Sequence, residues 1–560
     1  MLHLYQRFLD ETVDANGVVT DYQLKVPGPF NFAYDVVDAI AAAEPGRRAM
    51  HWCNEAGESR TFTFADLKEQ SDRTAAFFQS LGLKKGDPVM LILKRHYEFW
   101  FAILALHKIG AVAIPATNQL QVKDLTYRYQ AAEIKAIICT GEGEIAAHVD
   151  EAATLTGQKL VRVMVHGSRD GWLSFQNGLD QSQPFVRPTG DEAPGNKDRM
   201  LLYFTSGTTG MPKMVTHDFT YPIGHIPTAR YWHRVDPDGL HLTVADTGWA
   251  KSAWGKIYGQ WLMEAGVYVY DYDRFVPQAL LARLQDDRVT TFCAPPTLYR
   301  FLIKEDLAQY DLSHLQHCTI AGEALNPEVY EQFLKATGLE LKEGYGQTEM
   351  TLAVVTNYWM KTKPGSMGKP SPVYNIVLLD DEGREVAPGQ SGEICIRIEP
   401  DTLPGMFRGY YRDPDLTARV WHDGVYHTGD LAWQDEEGYL WFVGRADDII
   451  KSSGYRIGPF EVESVLMEHP AVLECAITGV PDPDRGQVVK ATVVLARGYA
   501  ASEALKIELQ NYVKTHTAPY KYPRILEFVT ELPKTISGKI RRVEIRQGKS
   551  SGPEAPETDD

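Results

Sequence analysis

The run Tyr203-Phe-Thr-Ser-Gly-Thr-Thr-Gly-Met-Pro-Lys213 decides how this chain is read. It follows an apolar, strand-like segment, Met200-Leu-Leu-Tyr-Phe204. Hydroxyls at Thr205, Ser206, Thr208 and Thr209 alternate with Gly207 and Gly210, and Lys213 closes the run. Glycines let backbone N–H groups come close to an anion, hydroxyls add donors, and the lysine adds charge. The combination suits a polyphosphate. It is not a Walker A loop, because no Gly-Lys-Ser/Thr stands at the required spacing. Thr, Ser and Gly are also ordinary linker residues, but the patterning here exceeds that of a solvated loop.

Outward from this loop, strand-like and helix-like segments alternate on both sides. Before it, Phe64–Phe78 has helical spacing, Asp87–Lys94 is a short buried strand, and Ala111–Pro115 is a second one. After it come a strand at Gly266–Tyr270, a helix near Pro277–Asp286, and strands at Val289–Cys293 and Leu315–Ala321. The fold class is therefore α/β: two parallel sheets, each covered by helices. From about Ser371 the pattern turns to hairpins, with Tyr374–Leu379, the turn Asp380-Asp-Glu-Gly383 and Gly392–Arg397 predicting a small antiparallel sheet or β-barrel. A compact α+β segment follows: helices at Pro459–His469 and Ser502–Thr515, strands at Ala471–Gly479, Val488–Leu495 and Ile525–Val529. The expected division is a large domain over 1–446, a small mobile one over 447–547, and a Gly/Ser/Pro/acid-rich disordered tail over 548–560. In that tail, Gly548-Lys-Ser-Ser-Gly552 imitates two catalytic motifs but lacks the strand and helix that give them a mechanism.

The chain has 560 residues, 44% of them hydrophobic, enough for several cores. Its formal charge of −17 argues against nucleic acid as a partner. None of the six cysteines (Cys53, Cys139, Cys293, Cys318, Cys395, Cys475) belongs to a Cys-x-x-Cys pair, and most sit in apolar runs, as reduced core residues do. The N-terminus turns acidic within its first ten residues, unlike a signal peptide or a presequence. Apolar windows such as Phe99–Leu106 are far shorter than the ~20 residues of a membrane span. A cytoplasmic location without integral membrane association is the expectation, with either a monomer or a homodimer compatible.

Further motifs follow in order: Ala321-Gly322-Glu323-Ala324-Leu325, Glu343-Gly344-Tyr345-Gly346-Gln347-Thr348-Glu349, Tyr426-His-Thr-Gly-Asp430, Gly444-Arg445, Asp447 through Ser453-Gly454-Tyr-Arg456, and Pro533-Lys-Thr-Ile-Ser-Gly-Lys539. Singly, each has a plain reading: a helix cap, a Gly-Asp turn, a solvated charge. Together, over Thr61 to Arg542, they resemble the adenylate-forming superfamily of acyl-CoA synthetases, adenylation domains and luciferases, most nearly medium-chain acyl-CoA synthetases. The resemblance implies that Thr205–Gly210 and Lys213 hold the phosphates of ATP. It gives Gly322, Glu323, Ala324, Glu343, Gly344, Tyr345, Gly346 and Gln347 to the nucleotide. Thr348 contacts phosphate, and Glu349, with Thr205, holds Mg²⁺, for which a carboxylate is a hard ligand. Asp430 and Arg445 take the ribose, Arg456 a phosphate, Ser453 and Gly454 coenzyme A, while Asp447 is the hinge. Lys539 is the mobile ammonium that balances charge during adenylation.

The implied reaction has two halves. A carboxylate attacks the α-phosphorus of MgATP, giving acyl-adenylate and pyrophosphate. The small domain then turns about Asp447, and the thiol of coenzyme A takes the acyl group, releasing AMP. Acetyl-CoA synthetases of the family carry a tryptophan where this chain has Gly346, so the acyl pocket, with Trp249, Ala250 and Trp254 as further lining, is expected to admit a medium-chain, branched or aromatic acid. One rival is a stand-alone enzyme loading a carrier protein, against which Gln347 argues. A luciferase-like oxygenase shares the ATP motifs and is less favoured. Another rival is a non-catalytic nucleotide-binding relative, against which Lys539, Glu349 and Asp430 argue together.

Overall fold

The computed structural model describes residues 1–15, 18–205, 211–323, 325–400, 402–534 and 539–548. Ser206, Gly207, Thr208, Thr209, Gly210, Ala324 and the tail over 549–560 lie outside the described residues.

The first sheet runs in the order Lys213–Asp218, Arg199–Thr205, Val112–Pro115, Pro88–Ile92, Ala136–Thr140, Val161–Val165, Leu173–Ser174. All its neighbours are parallel except the hairpin-like pair at the Lys213 edge. Strand Pro88–Ile92 illustrates why it is buried on both faces. Val89 and Leu91 enter one apolar core with Phe77, Phe78 and Trp100, while Met90 and Ile92 enter another with Leu125, Tyr129 and Val149. A parallel strand with helices on both sides has no polar face, hence the continuous apolar run. The helix Phe64–Ser80 is set by a capping box, Thr63 accepting from the Asp66 N–H and the Asp66 carboxylate accepting from that of Thr63.

The second sheet runs Ser59–Thr63, Arg48–Asn54, Gly266–Asp271, Leu240–Thr243, Thr291–Ala294, His317–Ile320, Leu341–Tyr345. It does not stop there. Val354–Val355 and Ser366–Pro370 extend it antiparallel into Leu440–Arg445, Val425–Gln434, Ser391–Arg397 and Ile376–Leu379. The hairpins read from the sequence thus form one continuous sheet with the second parallel unit. Residues 48–63 join this sheet although they precede the first one along the chain. Local patterning identifies a strand but not its partner, so this crossing was not legible.

Between Arg445 and Ile450 the chain passes into a third sheet, ordered Tyr455–Ile457, Ile450–Ser452, Gly486–Leu495, Val472–Asp482, with Ile525–Val529 parallel beside Gly486–Leu495. Helices Pro459–Glu468 and Glu503–His516 pack on it through Val462, Leu466, Leu509 and Val513. All six cysteines are buried and unpaired, and no described helix is long and apolar enough to cross a membrane.

The seam between parallel and antiparallel strands depends on Gly368. Its φ is +104°, and a Cβ there would lie 2.2 Å from the Val355 carbonyl. Gly368→Ala is expected to cost roughly 2 kcal/mol or more, read as a lower denaturation midpoint; an unchanged midpoint would remove the seam from the account.

Candidate active site

Several of the described motif residues meet where Leu341–Tyr345 leaves the second sheet and faces the antiparallel ribbon, while Ser453, Gly454 and Arg456 lie in the third sheet. Asp430 and Arg445 are cross-strand partners in that ribbon. The Asp430 carboxylate is only 5% exposed. Its Oδ2 accepts the Tyr345 hydroxyl and the Gln347 amide, each at 2.6 Å. Its Oδ1 accepts Arg445 Nη1 at 3.3 Å, and that nitrogen also reaches the Thr428 carbonyl at 3.1 Å. Tyr426 donates to Gln347 Oε1 at 2.8 Å, which orients the amide. Burial, reinforced by Asp430, holds the Tyr345 phenol far above its ordinary pKa, so it stays a donor. Burial disfavours the Arg445 charge, but Asp430 and Asp447 overcome this and raise its pKa. Asp447 Oδ1 lies 3.6 Å from Arg445 Nε. The expected hinge residue is therefore tied to the expected ribose ligands.

A second group surrounds Glu349. Its Oε1 accepts the Tyr410 hydroxyl at 2.8 Å, and Lys213 Nζ stands 5.1 Å from the Tyr410 ring centroid. Thr205 and Lys213 pair across the hairpin whose connecting loop lies outside the described residues. Glu349, Tyr410, Lys213 and Thr205 thus form one linked set. Thr348 is positioned through its backbone: His217 Nε2 donates to its carbonyl at 2.7 Å. Burial pushes His217 down to about 3, keeping it neutral in that role. The Glu349 carboxylate, a hard oxygen donor beside a lysine and a hydroxyl, fits a magnesium ion accompanying a polyphosphate.

At the neighbouring strand ends, Gly322 has φ +108° and Glu323 Oε2 accepts the Thr297 hydroxyl at 3.0 Å. Glu343 is buried, its Oε1 3.4 Å from the Leu325 N–H and its Oε2 without a hydrogen-bond partner among the described residues. Burial raises its pKa well above the carboxylate range. Gly344 is required by packing, since a Cβ would lie 2.6 Å from Leu352 and 2.8 Å from Trp232.

Two expectations change. Gly346 does not open a void: a Cβ there would lie 2.5 Å from the Trp254 ring and 2.7 Å from the Thr351 carbonyl. The indole of Trp254, itself buried, already takes the space that the glycine vacates. Trp249 is half-buried and Ala250 buried on the same segment. Arg456, expected at a phosphate, instead pairs with Asp381 in the turn of the antiparallel hairpin, two exposed opposite charges satisfying one another.

Ser453 (φ +49°) and Gly454 (φ +83°) form the tight turn between Ile450–Ser452 and Tyr455–Ile457, where Arg485 Nη1 donates to Ser453 Oγ at 3.3 Å. Lys539 is exposed, and its charge is felt at Lys251. Lys251 is a residue that sequence reasoning missed. Its Nζ donates to the Ala321 carbonyl at 2.7 Å. Burial lowers its pKa, with Cys293 and Glu323 opposing the shift and Lys539 adding to it. The available signal was a lysine two residues from Trp249, between Ala250 and Ser252. Tyr410 and Tyr426 carried no signal beyond being aromatic.

The family described as AMP-binding enzyme matches residues 37–411, and its C-terminal domain matches residues 461–539. The mitochondrial acyl-coenzyme A synthetase ACSM3 of Mus musculus is 42% identical over 538 residues, covering 94% of this chain and 92% of that one. The mitochondrial acyl-coenzyme A synthetase ACSM5 of Rattus norvegicus is 44% identical, covering 93% and 91%. Among solved structures, the anthranilate CoA ligase AuaEII in complex with anthranoyl-AMP aligns with a TM-score of 0.85 at 27% identity, covering 94% of this chain and 98% of that one. These mitochondrial relatives overturn the expected cytoplasmic location. Free thiols and acidic, membrane-free composition are common to both compartments, so they carried no power to separate them.

Tyr345→Phe and Gln347→Leu each remove one donor from a buried carboxylate. Each is expected to weaken AMP binding about ten-fold or more, from the ~1.5–3 kcal/mol of a hydrogen bond to a charged group. Calorimetric titration with AMP checks this, and unchanged affinity in both variants would detach Asp430 from the nucleotide.

Proposed function

Because the chain belongs to the AMP-binding enzyme family, we propose that it is an AMP-forming acyl-CoA synthetase acting through an acyl-adenylate. The observation that carries this reading is the buried Asp430 carboxylate held by Tyr345, Gln347 and Arg445, with Glu349, Tyr410 and Lys213 linked beside Thr205. Asp430 accepts from the ribose hydroxyls of ATP while Tyr345 and Gln347 keep its carboxylate in place. Gly322, Glu343 and Gly344 border the base. Thr205, the loop after it, Lys213 and Thr348 hold the phosphates. Glu349 would hold Mg²⁺, which when bound neutralises phosphate charge.

In the first half-reaction Lys539 supplies positive charge where the acid's carboxylate approaches the α-phosphate. Two anions repel until a cation is fixed between them, so positioning and charge provide most of the acceleration. The small domain then turns about Asp447 and withdraws Lys539. In that arrangement the Ser453–Gly454 turn borders the thiol of coenzyme A. A carrier-protein acceptor is the second reading; Gln347 argues against it.

The acid is a medium-chain, branched or aromatic carboxylate, bounded by Trp249, Ala250 and Trp254. Trp254 rather than Gly346 sets the length limit, because its ring fills the volume beside the glycine. Trp254→Ala is expected to move the preferred straight-chain acid to longer chains, read as kcat/KM across a chain-length series. An unaltered series would move the acyl pocket elsewhere.

The deciding experiment measures acid-dependent pyrophosphate release with and without coenzyme A. Lys539→Ala should lower that release by about 100-fold or more, while conversion of supplied acyl-adenylate to thioester stays within a few-fold. Pyrophosphate release without thioester would favour the carrier-protein reading, and equal loss of both halves would deny Lys539 its separate role.

A further inference from the structure

At the junction of the first two sheets, outside the surface just described, three potential ligands from three different loops face one another. His96 follows strand Pro88–Ile92, Glu142 follows Ala136–Thr140, and His166 follows Val161–Val165. One nitrogen of each histidine and one carboxylate oxygen all lie within 4.8 Å of one another. We propose that His96 Nε2, His166 Nδ1 and the Glu142 carboxylate bind one divalent cation of the zinc type.

Each imidazole is backed by a buried carboxylate on its other nitrogen. His96 Nδ1 is 2.8 Å from Asp271 Oδ2, and His166 Nε2 is 3.1 Å from Glu98 Oε1. Such outer carboxylates fix the tautomer that presents the opposite nitrogen and raise its basicity. The far oxygens, Glu98 Oε2 and Asp271 Oδ1, are buried and lack a hydrogen-bond partner among the described residues, which leaves negative potential behind both rings. Around the cluster, Glu98, Glu142, Asp271 and Asp273 outnumber Lys94 and Arg95. A cation offsets that excess. Two imidazoles and one carboxylate suit zinc more than magnesium or calcium.

The present spacing requires a small closure. Glu142 stands 3.8 Å from His96 Nε2 and 3.8 Å from His166 Nδ1, against roughly 3.3 Å between ligands of tetrahedral zinc. Glu142 and His166 are the exposed members; to close, Glu142 shares its Oε2 with the Lys94 ammonium, now 2.5 Å away, which Asp273 also pairs. Thr140 Oγ1, 2.9 Å from His96 Nε2, now engages that lone pair and gives it up to the cation. The approach itself is built into the backbone: His166 is left-handed at φ +57°, and a Cβ on Gly141 would lie 1.9 Å from its carbonyl. The two rings are 4.5 Å apart. All three ligands follow strands of the first sheet, and the second sheet enters only through Asp271 behind His96.

The other cluster of this kind among the described residues, Glu393–Cys395–His427, is less suited: burial and the adjacent Glu393 carboxylate raise the Cys395 thiol, disfavouring thiolate.

The test is calorimetric titration of the chelator-treated, nucleotide-free full chain with ZnCl₂. One saturable equivalent is expected, accompanied by a higher thermal midpoint. His166→Gln and Glu142→Gln, both at exposed positions, should each weaken it by about ten-fold or more without moving the zinc-free midpoint. No saturable binding, affinity unchanged in both variants, or binding lost in His427→Gln instead would overturn the proposal.

Discussion

A buried carboxylate, Asp430, is the constraint on which the rest of the site depends. It takes donors from the strand end that carries Tyr345 and Gln347 and from the ribbon strand that carries Arg445. An ionised group so enclosed is stable only while its partners hold, and loss of one partner of a buried pair costs about 3–5 kcal/mol. The parallel sheet and the antiparallel ribbon are therefore locked in register at the point where Tyr345, Gln347, Asp430 and Arg445 meet. Arg445 carries that constraint to Asp447, in the short segment between Arg445 and Ile450 where the chain changes sheets.

The small domain docks on the same region by close approach. A Cβ on Gly458 would lie 2.3 Å from the Val443 carbonyl, and Asn326 donates to the Ser464 carbonyl at 3.2 Å. The segment after Lys539 is tied down as well: Arg542 forks onto Glu463 at 2.8 Å, and Arg546 reaches Asp448 at 2.8 Å. The junction is partly apolar, since Phe442 meets Phe460 edge-on with ring centroids 6.2 Å apart.

The site chemistry was largely legible because it rests on residue types at set spacings. Gly-Asp430, Gln347-Thr-Glu349 and Lys539 are recognisable without coordinates, and the alternation of apolar segments gave both helix-covered sheets. The pocket was not legible. Gly346 reads as an opening in one dimension, yet a residue ninety positions upstream fills it. Lys251 and Tyr410 act through neighbours that only folding supplies, and Arg456 found a nearer anion in Asp381.

The sequence by itself determined the family, the alternation of elements and the charged residues offered to a nucleotide. Each follows from backbone conformational preference, side-chain periodicity or functional-group chemistry, all of which are local. The tertiary structure alone decided which strands pair, which indole packs against Gly346, and that His96, Glu142 and His166 meet beside Asp271 of the second sheet. Those outcomes turn on volume exclusion and on the pairing of buried charges between distant segments. Neither has a value until the chain has closed upon itself.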